Sequence, residues 1–274
     1  MYIKKQEVRA LSQDIRRAID GEAVDVRDHK EGAWSILKND IHTLINLKNE
    51  ELDATAKEHA LFMDFMEDVS HQLKTPLTSM MLMADLMATA SPERQGDYVR
   101  NIKISLDRME WLVDCLLKMA KLDAGAVSFD PKPYAVSALL EEAQLPLAVA
   151  WDIKAQQAVL KADAMVVCDK RWTVEALTNL LKNAGEVSPE GATLVVEGGD
   201  NPLYGWISVQ DAGEGIARSA MPTLFKRFEG SHNPQGVGIG LPQALAIVRG
   251  QHGDIDVDGG GNGHGATFTM KFFK

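Results

Sequence analysis

The stretch Asp68-Val-Ser-His-Gln-Leu-Lys-Thr-Pro76 sits inside a run of helical periodicity. Apolar residues recur at Phe62, Phe65, Met66, Val69, Leu73, Leu77, Met80 and Leu86, one stripe of an amphipathic helix. Ser91-Pro92-Glu93 interrupts the stripe, with Pro92 suited to the first turn of a new helix and Ser91 to its cap. A second stripe follows through Tyr98, Ile102, Leu106, Met109, Leu112, Leu116 and Met119, and Gly125 ends it. Two helices joined by so short a loop cannot bury both stripes alone. A pair of such hairpins makes a four-helix bundle, so the pattern itself predicts a homodimer. Met80, Met81, Met83 and Met87 read as adaptable filler of that bundle.

Upstream, Val8, Leu11, Ile15 and Ile19 predict a short amphipathic helix over residues 3–20, stopped by Gly21. Residues 21–32, with Val24 and Val26, read as an extended connector. A long helix is expected from Ala33, with Trp34, Leu37, Ile41, Leu44, Ile45, Leu52 and Ala56 on its apolar side. Downstream, residues 126–133 read as a linker or a first strand. Helical signals then lie at 136–145, 171–187 and 241–252, and strand signals at 164–168, 192–198, 205–211 and 265–273. That alternation predicts an α/β sandwich with helices on one face of a mixed sheet.

Bulk composition narrows the function classes. The chain has 274 residues, 45% hydrophobic and 25% charged, and a formal net charge of -10. An acidic balance argues against nucleic acid as the main partner. Cys115 and Cys168 lack metal-ligand spacing and read as small core residues in a reducing compartment. No run approaches the roughly 18 apolar residues of a membrane span.

Four chemical motifs stand in order. His71 is the first. Asn179 and Asn183 share a helix face one turn apart, with Glu175 one turn before them. Asp211-Ala-Gly-Glu-Gly215 ends a strand-like run, Trp206-Ile-Ser-Val-Gln210. Gly236-Val-Gly-Ile-Gly-Leu241 then opens a helix, a geometry that offers backbone N–H groups to phosphate. Taken singly, each has a blander reading: a packing histidine, solvated amides, or a turn. Their order resembles a sensor histidine kinase of a two-component system, over about residues 62–274.

The resemblance implies a dimerising phosphoacceptor hairpin followed by an ATP-binding domain of the Bergerat fold shared with gyrase-type ATPases. It divides the chain into a relay or linker region at 1–61, an acceptor domain at 62–125 and an ATP-binding domain at 126–274. Residues 1–61 are similar to a HAMP relay, or form a simple amphipathic coiled-coil linker. Residue by residue, it implies phosphorylation of His71 from ATP and transfer to an aspartate of a response regulator's receiver domain. Asn183 falls to Mg2+, with Asn179 on phosphate or metal and Glu175 on a metal-bound water. Asp211 falls to the adenine amino group. Gly213, Gly215, Gly236, Gly238, Gly240 and Leu241 shape the nucleotide site. Lys226 and Arg227, in Leu224-Phe-Lys-Arg-Phe228, are cations for phosphate charge, and Ser231-His-Asn-Pro-Gln235 reads as a compact lid.

Thr75 falls to orienting a water that dephosphorylates the regulator, with a capping or solvated threonine as the alternative. Two departures matter. Gln72 replaces the usual carboxylate after the histidine and cannot serve as a base near neutral pH. Glu186 stands where relatives carry a phosphate-contacting lysine, with Lys182 a weak substitute. These departures support an alternative: an ATP-binding dimeric scaffold acting mainly as a regulator phosphatase. The resemblance implies a cytoplasmic domain set, with two readings: a naturally soluble kinase or, the favoured one, the cytosolic part of a parent anchored in the membrane by a segment absent from this chain.

Overall fold

A computed structural model describes residues 5–19, 22, 24–27, 33–88, 90–228, 238–260 and 265–274. They fall into two compact units, Met1–Ser70 and His71–Lys274.

In the first unit, α1 spans Lys5–Ile19 and α2 begins at Ala33. The expected stripe of α1 is only partly inward. Leu11 and Ala18 are buried, while Val8 and Ile19 are exposed. Among the described connector residues, Val26 is buried and Val24 half-buried. Arg27 folds back on Asp25 through its amide, at 3.0 Å, and its guanidinium, at 2.9 and 2.7 Å. Those bonds hold the Asp25 carboxyl well below the usual range.

Helix α2 continues unbroken to Met87 with Pro76 inside it. α3 spans Pro92–Asp123. Pro92 occupies the first turn, where its missing N–H costs nothing. Ser91 sits at the cap position in extended backbone, but its side chain does not cap. Its carbonyl instead accepts from the amides of Arg94 and Gln95, at 3.0 and 3.1 Å. Leu77, Met81, Leu82, Ile104, Leu106 and Leu117 lie exposed along the hairpin in this single copy. Among the described residues no helix is long and apolar enough to cross a membrane.

Past Gly125 the chain builds an α/β sandwich. β1 (Lys132–Ala135) pairs antiparallel with β3 (Met165–Cys168). The main sheet runs β2-β4-β5-β7-β6, with β2 at Gln157–Ala162, β4 at Thr193–Asp200, β5 at Tyr204–Gln210, β6 at Gly253–Asp258 and β7 at Thr267–Phe273. β2 and β4 are parallel and the other pairs antiparallel. α4 (Val136–Gln144), α6 (Lys170–Val187) and α7 (Gly240–Gly250) cover one face. Leu139, Leu177, Leu180 and Ile247 meet Ile207, Val209, Phe268 and Met270 in a core closed to solvent.

Among the described residues, β2, β6 and the short α5 (Ala148–Lys154) went unread in the sequence. α5 ends on Ala155 in a left-handed conformation, φ 50°, which a non-glycine residue seldom announces. β6 reads Gly-Asp-Ile-Asp-Val-Asp. Its alternation is strand-like, but aspartate is poor strand material. At a sheet edge those outward carboxylates are tolerated and deter further pairing.

Candidate nucleotide and phosphoacceptor site

Asp169 starts α6 by accepting from the Trp172 amide at 3.1 Å, a side-chain N-cap. From that start, α6 turns Ala176, Leu177, Leu180 and Leu181 into the core. Glu175, Asn179 and Asn183 follow one another by a turn on a half-buried face.

Glu175 Oε1 accepts from Lys118 Nζ of α3 at 2.6 Å and from Gln243 Nε2 of α7 at 2.8 Å. Asn179 Nδ2 donates to Gln243 Oε1 at 3.2 Å. A Cβ placed on Gly240 would lie 3.7 Å from Asn179 Oδ1, so the first residue of α7 stands beside Asn179. Among the described residues no side chain caps the start of α7. Its first N–H groups are therefore available to an anion. Gly238, with φ 70°, supplies the turn into it. One carboxylate and two amide oxygens on α6 form the oxygen-rich set that magnesium accepts while keeping waters. The residues present thus fit a metal-bound polyphosphate.

Asp211 follows the end of β5 and is 7% exposed. Its Oδ1 accepts from the amides of Gly213, at 2.8 Å, and Ala266, at 3.1 Å. Oδ2 accepts no hydrogen bond among the described residues. Burial pushes the carboxyl pKa above its ordinary value, and the two N–H bonds pull it partly back. A Cβ on Gly265 would fall 2.1 Å from the Asp211 carbonyl oxygen, so only glycine permits that approach. Gly215 takes φ 86° and makes the turn away from Asp211.

Three cations lie near the candidate site in sequence. Arg227 is paired with Asp123 of α3. Lys182 stands 5.0 Å from the centre of the Trp111 ring, also on α3. Lys226 is exposed. Phe228, with φ 61°, packs with Ile239 against Leu112, Cys115 and Met119. Glu186 is exposed at the end of α6. Gly236, Gly263 and Ser231–Gln235 lie outside the described residues.

His71 is exposed on α2, with Gln72 half-buried beside it. Thr75 Oγ1 donates to the His71 carbonyl at 3.2 Å, the intrahelical bond threonine commonly makes. Pro76 is buried. Sequence reasoning missed Gln243, Lys118 and Asp123. Gln243 left a usable signal: one amide in the otherwise apolar run Leu241-Pro-Gln-Ala-Leu-Ala-Ile-Val248. A polar residue at a core position demands a partner.

Comparison with known proteins accords with this geometry. Residues 63–125 match the His Kinase A (phospho-acceptor) domain. Residues 168–274 match the histidine kinase-, DNA gyrase B- and HSP90-like ATPase domain. The sensor histidine kinase GacS of Pseudomonas protegens is 27% identical over 264 residues, covering 90% of this chain and 28% of the relative. Sporulation kinase C of Bacillus subtilis is 25% identical over 226 residues, covering 81% of this chain and 51% of the relative. The chain therefore spans between about a quarter and about half of the length of these curated relatives. Among solved structures, the Acinetobacter baumannii histidine kinase AdeS aligns with a TM-score of 0.61 at 20% identity, covering 74% of this chain and 97% of that one. The histidine kinase ThkA, solved in complex with the response regulator protein TrrA, aligns at 0.64 and 19% identity, covering 83% and 66%. At these identities the structural likeness shows the fold: a helical hairpin followed by the ATPase sandwich.

Proposed function

As the chain belongs with the sensor histidine kinases, we propose that it transfers the γ-phosphoryl group of ATP to His71 and passes it to an aspartate of a response regulator. The observation that carries this reading is the convergence of Asn179 with the amino end of α7, which no described side chain caps. It supports a polyphosphate site in the same chain as an exposed histidine on an acceptor helix.

In the proposed reaction an imidazole nitrogen of His71 attacks the γ-phosphorus. The bond from that phosphorus to the β,γ-bridging oxygen breaks, and ADP leaves with the electron pair. The ring loses a proton, which Gln72 cannot take because an amide is no base near neutral pH. Water or another oriented group takes it. Asp211 accepts the adenine amino hydrogen through Oδ2, and the N–H groups of α7 hold phosphate oxygens. Asn183, Asn179 and Glu175 would hold Mg2+, which, when bound, offsets phosphate charge and aligns the transferred group.

The division into 1–61, 62–125 and 126–274 is part of the same proposal, as is a homodimer that covers Leu77, Met81 and Leu106. ThkA's structure with a response regulator supports a receiver domain as the partner. ATP places the reaction in the cytoplasm, with membrane attachment assigned to a segment outside this sequence. A second reading, a phosphatase-dominated scaffold, draws on Gln72 and on Glu186, whose exposed carboxylate does nothing to hold phosphate.

Incubation with labelled ATP and magnesium tests the reading. The kinase gives acid-labile, base-stable label that His71→Ala abolishes while ATP binding and dimerisation persist. Label that survives in the variant refutes His71. Bound ATP with no label supports the scaffold.

A further inference from the structure

Gln243 is 1% exposed and sits among Pro242, Ala244, Ile247 and Val248. A buried amide costs stability unless its ends find partners. Here both ends do, on two residues of the candidate site: Nε2 on Glu175 and Oε1 on Asn179. Lys118 donates to the same Glu175 oxygen that Gln243 uses.

This set of bonds has a single polarity. A carboxylate facing an ammonium group accepts and does not donate. Glu175 therefore takes the NH2 end of Gln243, which turns the Gln243 carbonyl toward Asn179. Asn179 must answer with its own NH2. Its Oδ1 is then the atom left toward Gly240 at the amino end of α7. Oδ1 is also the atom that a magnesium ion or a metal-bound water can use. A flipped Asn179 amide would turn two N–H groups there and repel a cation.

We propose that Gln243 is a positioning residue that fixes the Asn179 amide with its oxygen toward the metal and phosphate side. It touches neither nucleotide nor metal and acts through Asn179. Glu175 sets the direction and Lys118 of α3 secures Glu175. The inference rests on the reading of Asn179 and Asn183 as the magnesium-side residues.

The test uses the full chain and a non-hydrolysable ATP analogue, titrated by calorimetry with excess Mg2+ and again with a chelator. Gln243→Met keeps length and volume and removes both polar ends. Binding with Mg2+ should weaken about five- to tenfold, and metal-free binding should stay within about twofold. Equal losses in both conditions indicate a merely structural role and overturn the proposal, as does no loss at all. Asn183→Ala separates the two levels. If it removes the magnesium-dependent gain and Gln243→Met does not, the positioning role fails and the site reading stands. If the unsubstituted chain shows no magnesium-dependent gain, the site reading fails and takes the positioning role with it. A second measurement needs no stable variant. The Asn179 side-chain NH2 protons, assigned by their disappearance in Asn179→Asp, should exchange slowly with solvent in the unsubstituted chain. Exchange as fast as for an exposed asparagine overturns the proposal.

Discussion

Arg227 Nη2 donates to both carboxylate oxygens of Asp123, at 2.9 and 2.7 Å. One of the two cations expected on ATP phosphate is thus engaged with the last residue of α3. Both side chains are partly exposed, at 33% and 47%. Pairs of that kind contribute only about 0.2–1 kcal/mol and weaken with salt.

That small magnitude makes Arg227 recruitable. Asp123→Asn should raise ATP affinity by at most about fivefold at low salt, the factor that ~1 kcal/mol allows. The gain should shrink at high salt. Calorimetry at two ionic strengths checks it. An unchanged affinity at both removes Arg227 from the phosphate contacts.

Asp211 gives a pH prediction with opposite signs for binding and folding. Its pKa is raised by burial. In the proposed site adenine recognition needs the ionised acceptor, so ATP affinity should begin to fall, as pH drops, above the ordinary aspartate range. Folding runs the other way. A raised native pKa contributes stability that is fully present below the unfolded value and lost as pH rises through the native one. Asp211→Asn should flatten the stability profile in that window and cost affinity for adenine more than for guanine nucleotides. Denaturation midpoints and nucleotide titrations across mildly acidic pH check both. Parallel losses of affinity and stability on acidification would contradict the assignment.

How much of this could be read beforehand depends on the length scale of each signal. α2, α3 and α6 announce themselves because their apolar residues repeat over many turns, and burial in one direction selects that repeat. β6 and α5 are short and carry residues chosen for an edge or a surface. The site was legible where one motif is contiguous, as in Asp211–Gly215. It was not legible where it is assembled across the chain. Lys118, Glu175 and Gln243 are far apart in sequence, and only the packing of α3, α6 and α7 brings their polar ends together. The same holds for Arg227, whose partner Asp123 no local pattern indicates.

A substitution at Thr75 tests whether phosphatase and kinase chemistry separate in the proposed reaction. The Thr75 hydroxyl proton is directed to the His71 carbonyl. The oxygen's lone pairs remain able to accept from a water, which is the attacking group in regulator dephosphorylation. Thr75→Ala should slow that reaction about tenfold or more if positioning is lost. It should leave His71 phosphorylation nearly unchanged, because the helix does not depend on a back-bonding hydroxyl. Thr75→Ser should retain most phosphatase activity. Measured side by side, an equal fall of both activities in Thr75→Ala makes the residue structural.

Cys115 offers a chemical clock for the contact between α3 and the ATP-binding domain. The thiol is 4% exposed, in a cluster with Leu112, Met119, Ile239 and Phe228. Burial pushes its pKa up to about 11, so near neutral pH it is a protonated, poor nucleophile. Cys168 is buried still more deeply, at 1% exposed, and is also pushed up to about 11, but it belongs to the sandwich core and not to the cluster of Cys115 with Ile239 and Phe228. An alkylating reagent should therefore modify both slowly, and Cys115 should react only when Ile239 and Phe228 lift off α3. Truncating a buried isoleucine costs about 2–5 kcal/mol. Only part of that cost falls on the α3 contact, since Ile239 also precedes α7. Ile239→Ala should still speed Cys115 labelling by roughly tenfold, the factor that ~1.4 kcal/mol gives, while Cys168 labelling stays within about twofold. Mass spectrometry of the modified peptides at timed intervals separates the two rates. If both rise together, the substitution has loosened the whole sandwich. If neither rises, the contact of Ile239 with α3 does not gate access to the thiol.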